Sequence, residues 1–439
     1  MSFAVDSAAV SEVAADDVVV RKVFRRLIWF LFLLYMVSFL DRINVGFAGL
    51  LMIRDLKLSS TMFGLSVTSF YIGYLLCEIP SNLMLSRYGA KRWISRIMIS
   101  FGILSAATML ATGPYSLYLI RLLVGAAEAG FLPGILVYLT LWFPRSYRAR
   151  ASSVFLVAMP VTIALGSTVS GLILEMDQVL GLAGWQWLFL LEGLPAVILG
   201  VVAFLYLDDG PVKAAWLSAT EKSLLLARLE QERASEQKGA AQSTILRELL
   251  SGEVMLLSLA YFGLFVSLNA NTIWTPQIVR AFASGMSFSM IGLIAAIPAI
   301  VTALFMPLLG FSSDRREERL WHVSFPLLLA AFGWLLIIVF DAPLVQLAGL
   351  IAVSSGSYGA LAIFWTIPAS AAILSPRARP AGIALINSIG STGAAVGPFV
   401  VGAFRDLTGG FAAGLSFVAL MLIVSAILTA RVAARAAKC

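Results

Sequence analysis

Six ionisable residues interrupt long apolar stretches of this chain: Asp41, Arg42, Glu78, Arg121, Glu128 and Glu192. Arginine carries a planar fork of donors that matches a carboxylate, so Arg42 and Arg121 are candidates for binding an organic anion. Asp41 and Glu128 are candidates for carrying protons, because burial opposes their ionisation while a nearby arginine favours it. Arg121 and Glu128 are seven residues apart, which places them on nearly one helical face about 10 Å apart along the axis. Asp41 and Arg42 are neighbours, about 100° apart around a helix, and cannot both face one point. Arg42 is expected to face a cavity and Asp41 to turn toward the fourth apolar segment. Glu78 and Glu192 are read as structural, and His322 as a solvated or capping residue at the start of a segment.

Such residues need a frame. The chain has 439 residues, 60% of them hydrophobic and 13% charged, with mean hydropathy +0.93. A soluble domain carries about 25% charge, so an integral membrane protein is expected. Twelve apolar segments recur, from Phe24–Ala48 to Phe411–Ala430. Their length suits helices, not the alternating strands of about 10 residues found in barrels. Of 31 Lys and Arg, 25 lie on one set of faces, 4 on the other and 2 inside segments. The positive-inside rule then places both termini in the cytoplasm. It also accounts for the net charge of +7 without nucleic acid.

The expected organisation is a disordered cytoplasmic tail at 1–20 and a six-helix bundle at 21–207. A cytoplasmic linker with a surface helix follows at 208–252, then a second six-helix bundle at 253–430 and a tail at 431–439. The linker carries Ser218 and Glu221 at capping-box spacing. Two cysteines and one histidine exclude a disulfide framework and most zinc sites. No Gly-Lys-Ser/Thr phosphate loop is present. No cofactor, no metal and no catalytic residue is expected. The glycines of "LLVGAAEAGFLPG" read as close-packing positions.

A shift of 228 residues relates the halves. Asn82-x-x-x-Ser86-Arg87-x-Gly89-x-Lys91-Arg92 meets Gly310-x-x-x-Asp314-Arg315-Arg316. A tight turn with clustered cations reads as a conformational latch, built on Arg87, Gly89 and Lys91 in one copy and on Gly310, Asp314 and Arg315 in the other. The intramembrane charges do not repeat: Asp41 falls on Asn269, Arg42 on Ala270, Arg121 on Gly349 and Glu128 on Gly356. The first half therefore holds charge, and the second supplies polar and aromatic walls, with Asn269, Asn271, Trp365 and Asn387 as candidates beside Tyr74 of the first half. Pro276 and Pro368 are candidates for breaking helices.

The stretches "SFLDRINVGFA", "FYIGYLLCEIPSNLMLSRYGAKRW", "RLLVGAAEAGFLPGILVYLTLWFP", "GWQWLFLLEGLP", "FWTIPA" and "AGIALINSIG" together closely resemble the anion:cation symporter branch of the major facilitator superfamily. The resemblance runs from about Arg21 to Ala430. The paired loops resemble the superfamily's loop signature, the first copy departing from it at Asn82 and Ser86. That branch carries tartrate, sugar acids, phthalate and hydroxyphenylacetate with protons. The resemblance implies an all-α integral membrane protein with twelve helices in two pseudo-twofold bundles, moving by rocker-type alternating access. It implies proton sites at Asp41 and Glu128, and matches the family's arginines at Arg42 and Arg121, its tyrosine at Tyr74 and its asparagine at Asn387. The sequence departs from the pattern at Pro376, Arg377, Arg379 and Pro380. The expected function is proton-coupled import of an organic carboxylate across a bacterial inner membrane, the alternative being an anion exporter or exchanger. Partners are then a small organic anion, protons and the bilayer, with a monomer expected.

Overall fold

A computed structural model describes residues 7–237, 248–316, 318–319, 321–368, 373–374 and 378–436. The described residues form helices and turns, with no strand. The N-terminal half holds α1 (Ser7–Asp55), α2 (Ser60–Tyr88), α3 (Ala90–Ala107), α4 (Pro114–Glu128), α5 (Phe131–Trp142), α6 (Arg145–Leu156), α7 (Ala158–Leu174) and α8 (Gly184–Tyr206). Helix α9 (Ala219–Gln237) follows in the linker. The C-terminal half holds α10 (Gly252–Phe282), α11 (Phe288–Arg316), α12 (Trp321–Val339), α13 (Pro343–Phe364), α14 (Arg379–Thr408) and α15 (Ala412–Ala436). Among the described residues eleven helical stretches are long and apolar enough to cross a bilayer, and Ala158–Leu174 is a shorter apolar helix. Joined to α6, that shorter helix supplies the fifth crossing, and α4 with α5 supplies the fourth. The expected count of twelve is thereby met.

Local chemistry sets the ends. The Ser59 hydroxyl accepts the Met62 amide and caps α2. Gly89, at φ +88°, turns the chain from α2 into α3, where a side chain would meet the Asp209 carboxylate. Gly409, at φ +77°, ends α14. Ser218 and Glu221 form the reciprocal capping box of α9: the Glu221 amide donates to the Ser218 hydroxyl at 3.2 Å, and the Ser218 amide to Glu221 Oε2 at 2.7 Å. Lys22 pairs with Glu221 at 2.9 Å and docks α9 on α1. Helix α1 already begins at Ser7, so residues 7–20 are helical where an unstructured tail was expected. The apolar run of the first span extends the helix backward into its polar flank.

Helices within each half pack through small residues, as expected where lipid is as apolar as the side chains. A methyl group on Gly73 would strike the Leu122 carbonyl, and one on Gly125 the Phe70 carbonyl. This contact draws α2 against α4 and sets Phe70, Tyr71 and Tyr74 beside the charged face of α4.

The two halves meet along α2 with α14, α7 with α11 and α1 with α10. The start of α1, the end of α15 and helix α9 lie at one end of the bundle, the terminal end. Hydrogen bonds and glycine contacts joining the halves run from the level of Tyr71 to the opposite, distal end. Toward the terminal end the same helices leave Leu76, Ile79 and Leu83 exposed on α2, and Leu304, Leu308 and Phe311 exposed on α11. These contacts between the halves close the distal end.

Candidate functional site

Helices α1, α3 and α4 bring the four central charges together as two ion pairs. Arg121 Nη1 lies 2.8 Å from Asp41 Oδ2, and both side chains are 2% exposed. The Ser105 hydroxyl of α3 donates to Asp41 Oδ1 at 2.6 Å. Arg42 Nη2 lies 3.0 Å from Glu128 Oε1, which also accepts the Ser38 hydroxyl at 3.2 Å. The neighbours on α1 thus face different partners, as their angular offset requires.

The two pairs differ in access. The Arg42 side chain is 23% exposed, while Glu128 is 4% exposed. The guanidinium sits among the rings of Phe39, Phe70, Tyr71 and Tyr74, 5.4–5.8 Å from each centroid. Such rings hold a cation while leaving its donor edge free. Arg42 Nε and Glu128 Oε2 are buried without a partner among the described residues. The pair therefore keeps one donor and one acceptor for other chemistry. Arg121 is sealed beneath, its guanidinium 4.9 Å from the Phe70 ring.

The fourth span breaks beside this pair. Helix α4 ends at Glu128, Ala129 is extended, and Gly130 is left-handed at φ +82°. A side chain at Gly130 would also lie 2.6 Å from Ser81 Oγ. Irregular backbone at membrane depth is tolerated where protein or a cavity surrounds it. Of the glycines read as packing positions, Gly125 packs and Gly130 breaks the helix.

Arg42 also donates to the Tyr71 hydroxyl at 3.1 Å, and Tyr71 donates to Asn269 Oδ1 of α10 at 2.5 Å. This relay joins the charged half to the neutral one. Tyr74, the expected tyrosine, touches Arg42 only through its ring. Tyr71, one turn earlier on the same face, makes the hydrogen bond. Ser38, Tyr71 and Ser105 were missed by sequence reasoning. Ser38 stands three residues before Asp41 and Tyr71 three before Tyr74, and that spacing was the available signal.

The other expected walls lie apart from the pairs. Asn271 donates to Ser354 at 3.0 Å and lines a small cavity with Thr275, Pro276 and Thr302. Trp365 packs edge-on against Tyr261, 4.8 Å between centroids. Asn387 is half-buried on α14. Pro276 lies inside α10, which continues through it to Phe282, and Pro368 lies in the turn after α13. Glu192 is buried and accepts the Ser170 hydroxyl at 3.2 Å. His322 meets Glu318 at 2.8 Å and Ser312 at 3.0 Å.

In the first loop the Lys91 amide donates to Asp209 Oδ1 at 3.1 Å, and Asp209 pairs with Lys213 at 3.0 Å. Asp209, just past α8, thus brings a carboxylate to the first turn of α3, while the Ser86 hydroxyl donates to the Leu83 carbonyl. Arg87 lies over the Tyr88 ring. In the second loop Asp314 pairs with Arg319 at 2.5 Å, and Arg315 is exposed near the half-buried Gly310. Pro376 and Arg377 lie outside the described residues.

Comparison with known proteins agrees with this architecture. The Major Facilitator Superfamily profile matches residues 31–398. A relative from Agrobacterium vitis, provisionally named a tartrate transporter, is 46% identical over 411 residues, covering 94% of each chain. A quinolone resistance transporter of Acinetobacter baumannii is 38% identical over 411 residues, again covering 94% of each. A bacterial homologue of the lysosomal transporter spinster, solved in an inward-facing and unoccupied conformation, superposes with a TM-score of 0.74. It is 19% identical, over 94% of this chain and 97% of that one. The chain is a multi-pass membrane transporter, not an enzyme, and it belongs to the Major Facilitator Superfamily.

Proposed function

We propose that the protein couples protons to the uptake of an organic carboxylate across a bacterial inner membrane, with its terminal end in the cytoplasm. One observation carries the reading: a partly exposed arginine, Arg42, held by a buried carboxylate, Glu128, at the break in the fourth span. A proton on Glu128 releases the guanidinium. A substrate carboxylate then takes its place on the same planar fork. Because Tyr71 touches both Arg42 and Asn269, a change at the arginine is felt in the opposite half. The deeper Asp41–Arg121 pair works on the same terms, Arg121 becoming available to an anion only when Asp41 holds a proton. The name of the Agrobacterium relative supports a carboxylate cargo. With the termini cytoplasmic, as the distribution of Lys and Arg supports, the closed distal end makes this an inward-facing state.

A second reading is export or exchange, favoured by the resistance role in the name of the Acinetobacter relative. Right-side-out vesicles with an acidic exterior separate the two. Labelled tartrate, followed by a screen of sugar and aromatic acids, is expected to accumulate with the imposed gradient. Uptake indifferent to the gradient would overturn symport. Efflux of the acid against inward proton flow would establish exchange.

A further inference from the structure

The distal closure is built twice from the same parts. On α14, Asp406 reaches across to the start of α2. Its Oδ1 accepts the Ser60 amide at 2.9 Å, and its Oδ2 accepts the Thr61 amide at 2.7 Å and the Thr61 hydroxyl at 2.6 Å. On the opposite flank Glu175, just past α7, accepts the Ser289 amide at the start of α11 at 2.9 Å through Oε1. In both places a carboxylate from one half caps the first turn of a helix from the other. The first amides of a helix have no partner within it, and its positive end favours an anion.

Each cap sits on a glycine crossing. Between α7 and α11 a side chain on Gly171 would meet the Phe288 carbonyl at 2.5 Å and Gly292 Cα at 3.0 Å. Between α14 and α2 one on Gly402 would strike the Ser60 carbonyl, and one on Gly64 the Pro398 carbonyl at 2.7 Å. The sequence repeats the device. "GLILE" at 171–175 and "GAFRD" at 402–406 both place an acid four residues after the crossing glycine. "TMFG" at 61–64 and "SMIG" at 289–292 both place a hydroxyl residue three before it. Thr61 and Ser289 are 228 residues apart, as are Gly64 and Gly292, which is the shift relating the halves. Glu175 and Asp406 are 231 apart, as are Gly171 and Gly402. The intramembrane charges do not repeat, but this clamp does.

We propose that Asp406 and Glu175 form a twofold-repeated clamp that holds the distal gate shut and must release for the transporter to open on that side. Each acid bonds to backbone of the opposite half, so the bonds cannot persist once the halves part there. The glycine crossings let the helices approach closely enough for a short acid to reach the amides. Four amide and hydroxyl donors exchange for water on opening, which sets the balance between the two states independently of the central charges.

The first arm reads conformation, not transport, so it stands apart from the cargo proposed above. Spin labels are placed at Tyr115→Cys and Leu344→Cys, distal helix starts that are 85% and 81% exposed, in a Cys77→Ser/Cys439→Ser background. Asp406→Ala with Glu175→Ala is expected to add a longer distal distance to the distribution, each single change giving a smaller shift. A folded double variant with the unaltered distribution would overturn the clamp. A second arm does not depend on weakening the fold. Thr61→Cys with Asp406→Cys is cross-linked by oxidation in vesicles. Cross-linking is expected to stop labelled tartrate uptake and reduction to restore it. Uptake unaffected by the cross-link would show that the clamp need not open.

Discussion

Glu128→Gln is expected to abolish accumulation against a gradient while leaving exchange of internal for external substrate. Glutamine keeps the shape of the side chain and an oxygen for Ser38 and Arg42, but it carries no titratable proton. A transporter that binds one proton with each substrate charge can at equilibrium concentrate substrate about tenfold per unit of pH difference for each proton carried, since one unit is worth about 1.36 kcal/mol per proton. The variant is expected to reach a ratio of about one under the same gradient, with counterflow persisting because a neutral partner leaves Arg42 available. Parallel uptake and counterflow assays on reconstituted protein read both quantities. Continued uphill accumulation would remove Glu128 from the coupling.

The second large effect falls on stability. Asp41→Asn leaves the Arg121 guanidinium, 2% exposed, without its counter-charge among the side chains of α1, α3 and α4. Breaking one side of a buried ion pair costs about 3–5 kcal/mol because the surviving charge cannot be hydrated. The Ser105 hydroxyl that donates to Asp41 keeps a partner in asparagine and does not add to the loss. Glu128→Gln is expected to cost less, because Arg42 is 23% exposed and retains Tyr71 and its ring of aromatic faces. Asp41→Asn combined with Arg121→Gln removes both charges and is expected to recover most of the loss, since a buried pair contributes little net stability over neutral groups. Thermal unfolding of the three purified variants in detergent gives the order. A melting point for Asp41→Asn equal to that of the unaltered protein would show that Arg121 does not rely on Asp41.

Much of this architecture was legible in the residues because a bilayer enforces it. Every span must satisfy its own backbone, so a run of about 20 apolar residues is read as a helix. The divergent pointing of Asp41 and Arg42 followed from the angle between successive helical residues. What the sequence withheld were facts of three-dimensional proximity. Tyr71 and Tyr74 share a face, and only the packing of Gly73 against Leu122 and of Gly125 against Phe70 decides which hydroxyl reaches Arg42. Gly130 looks like any small residue of a packed helix until Ser81 and a left-handed backbone mark it as a break. Asp209 lies 118 residues from Lys91, so no local pattern joins it to the first loop. The distal clamp was hidden for a different reason. Its acids lie at the ends of apolar segments, where a charge is ordinary and draws no notice.

The central claim is that substrate and proton occupy opposite sides of one ion pair, the substrate on Arg42 and the proton on Glu128. It is tested most directly by titrating the purified protein with tartrate, or with the carboxylate that most raises its melting point, in weakly buffered detergent while following pH. The account predicts that binding draws protons from solution, that affinity strengthens as the pH falls, and that Glu128→Gln loses this proton uptake. Binding of the acid with no proton uptake, and with the same affinity across that pH range, would contradict it.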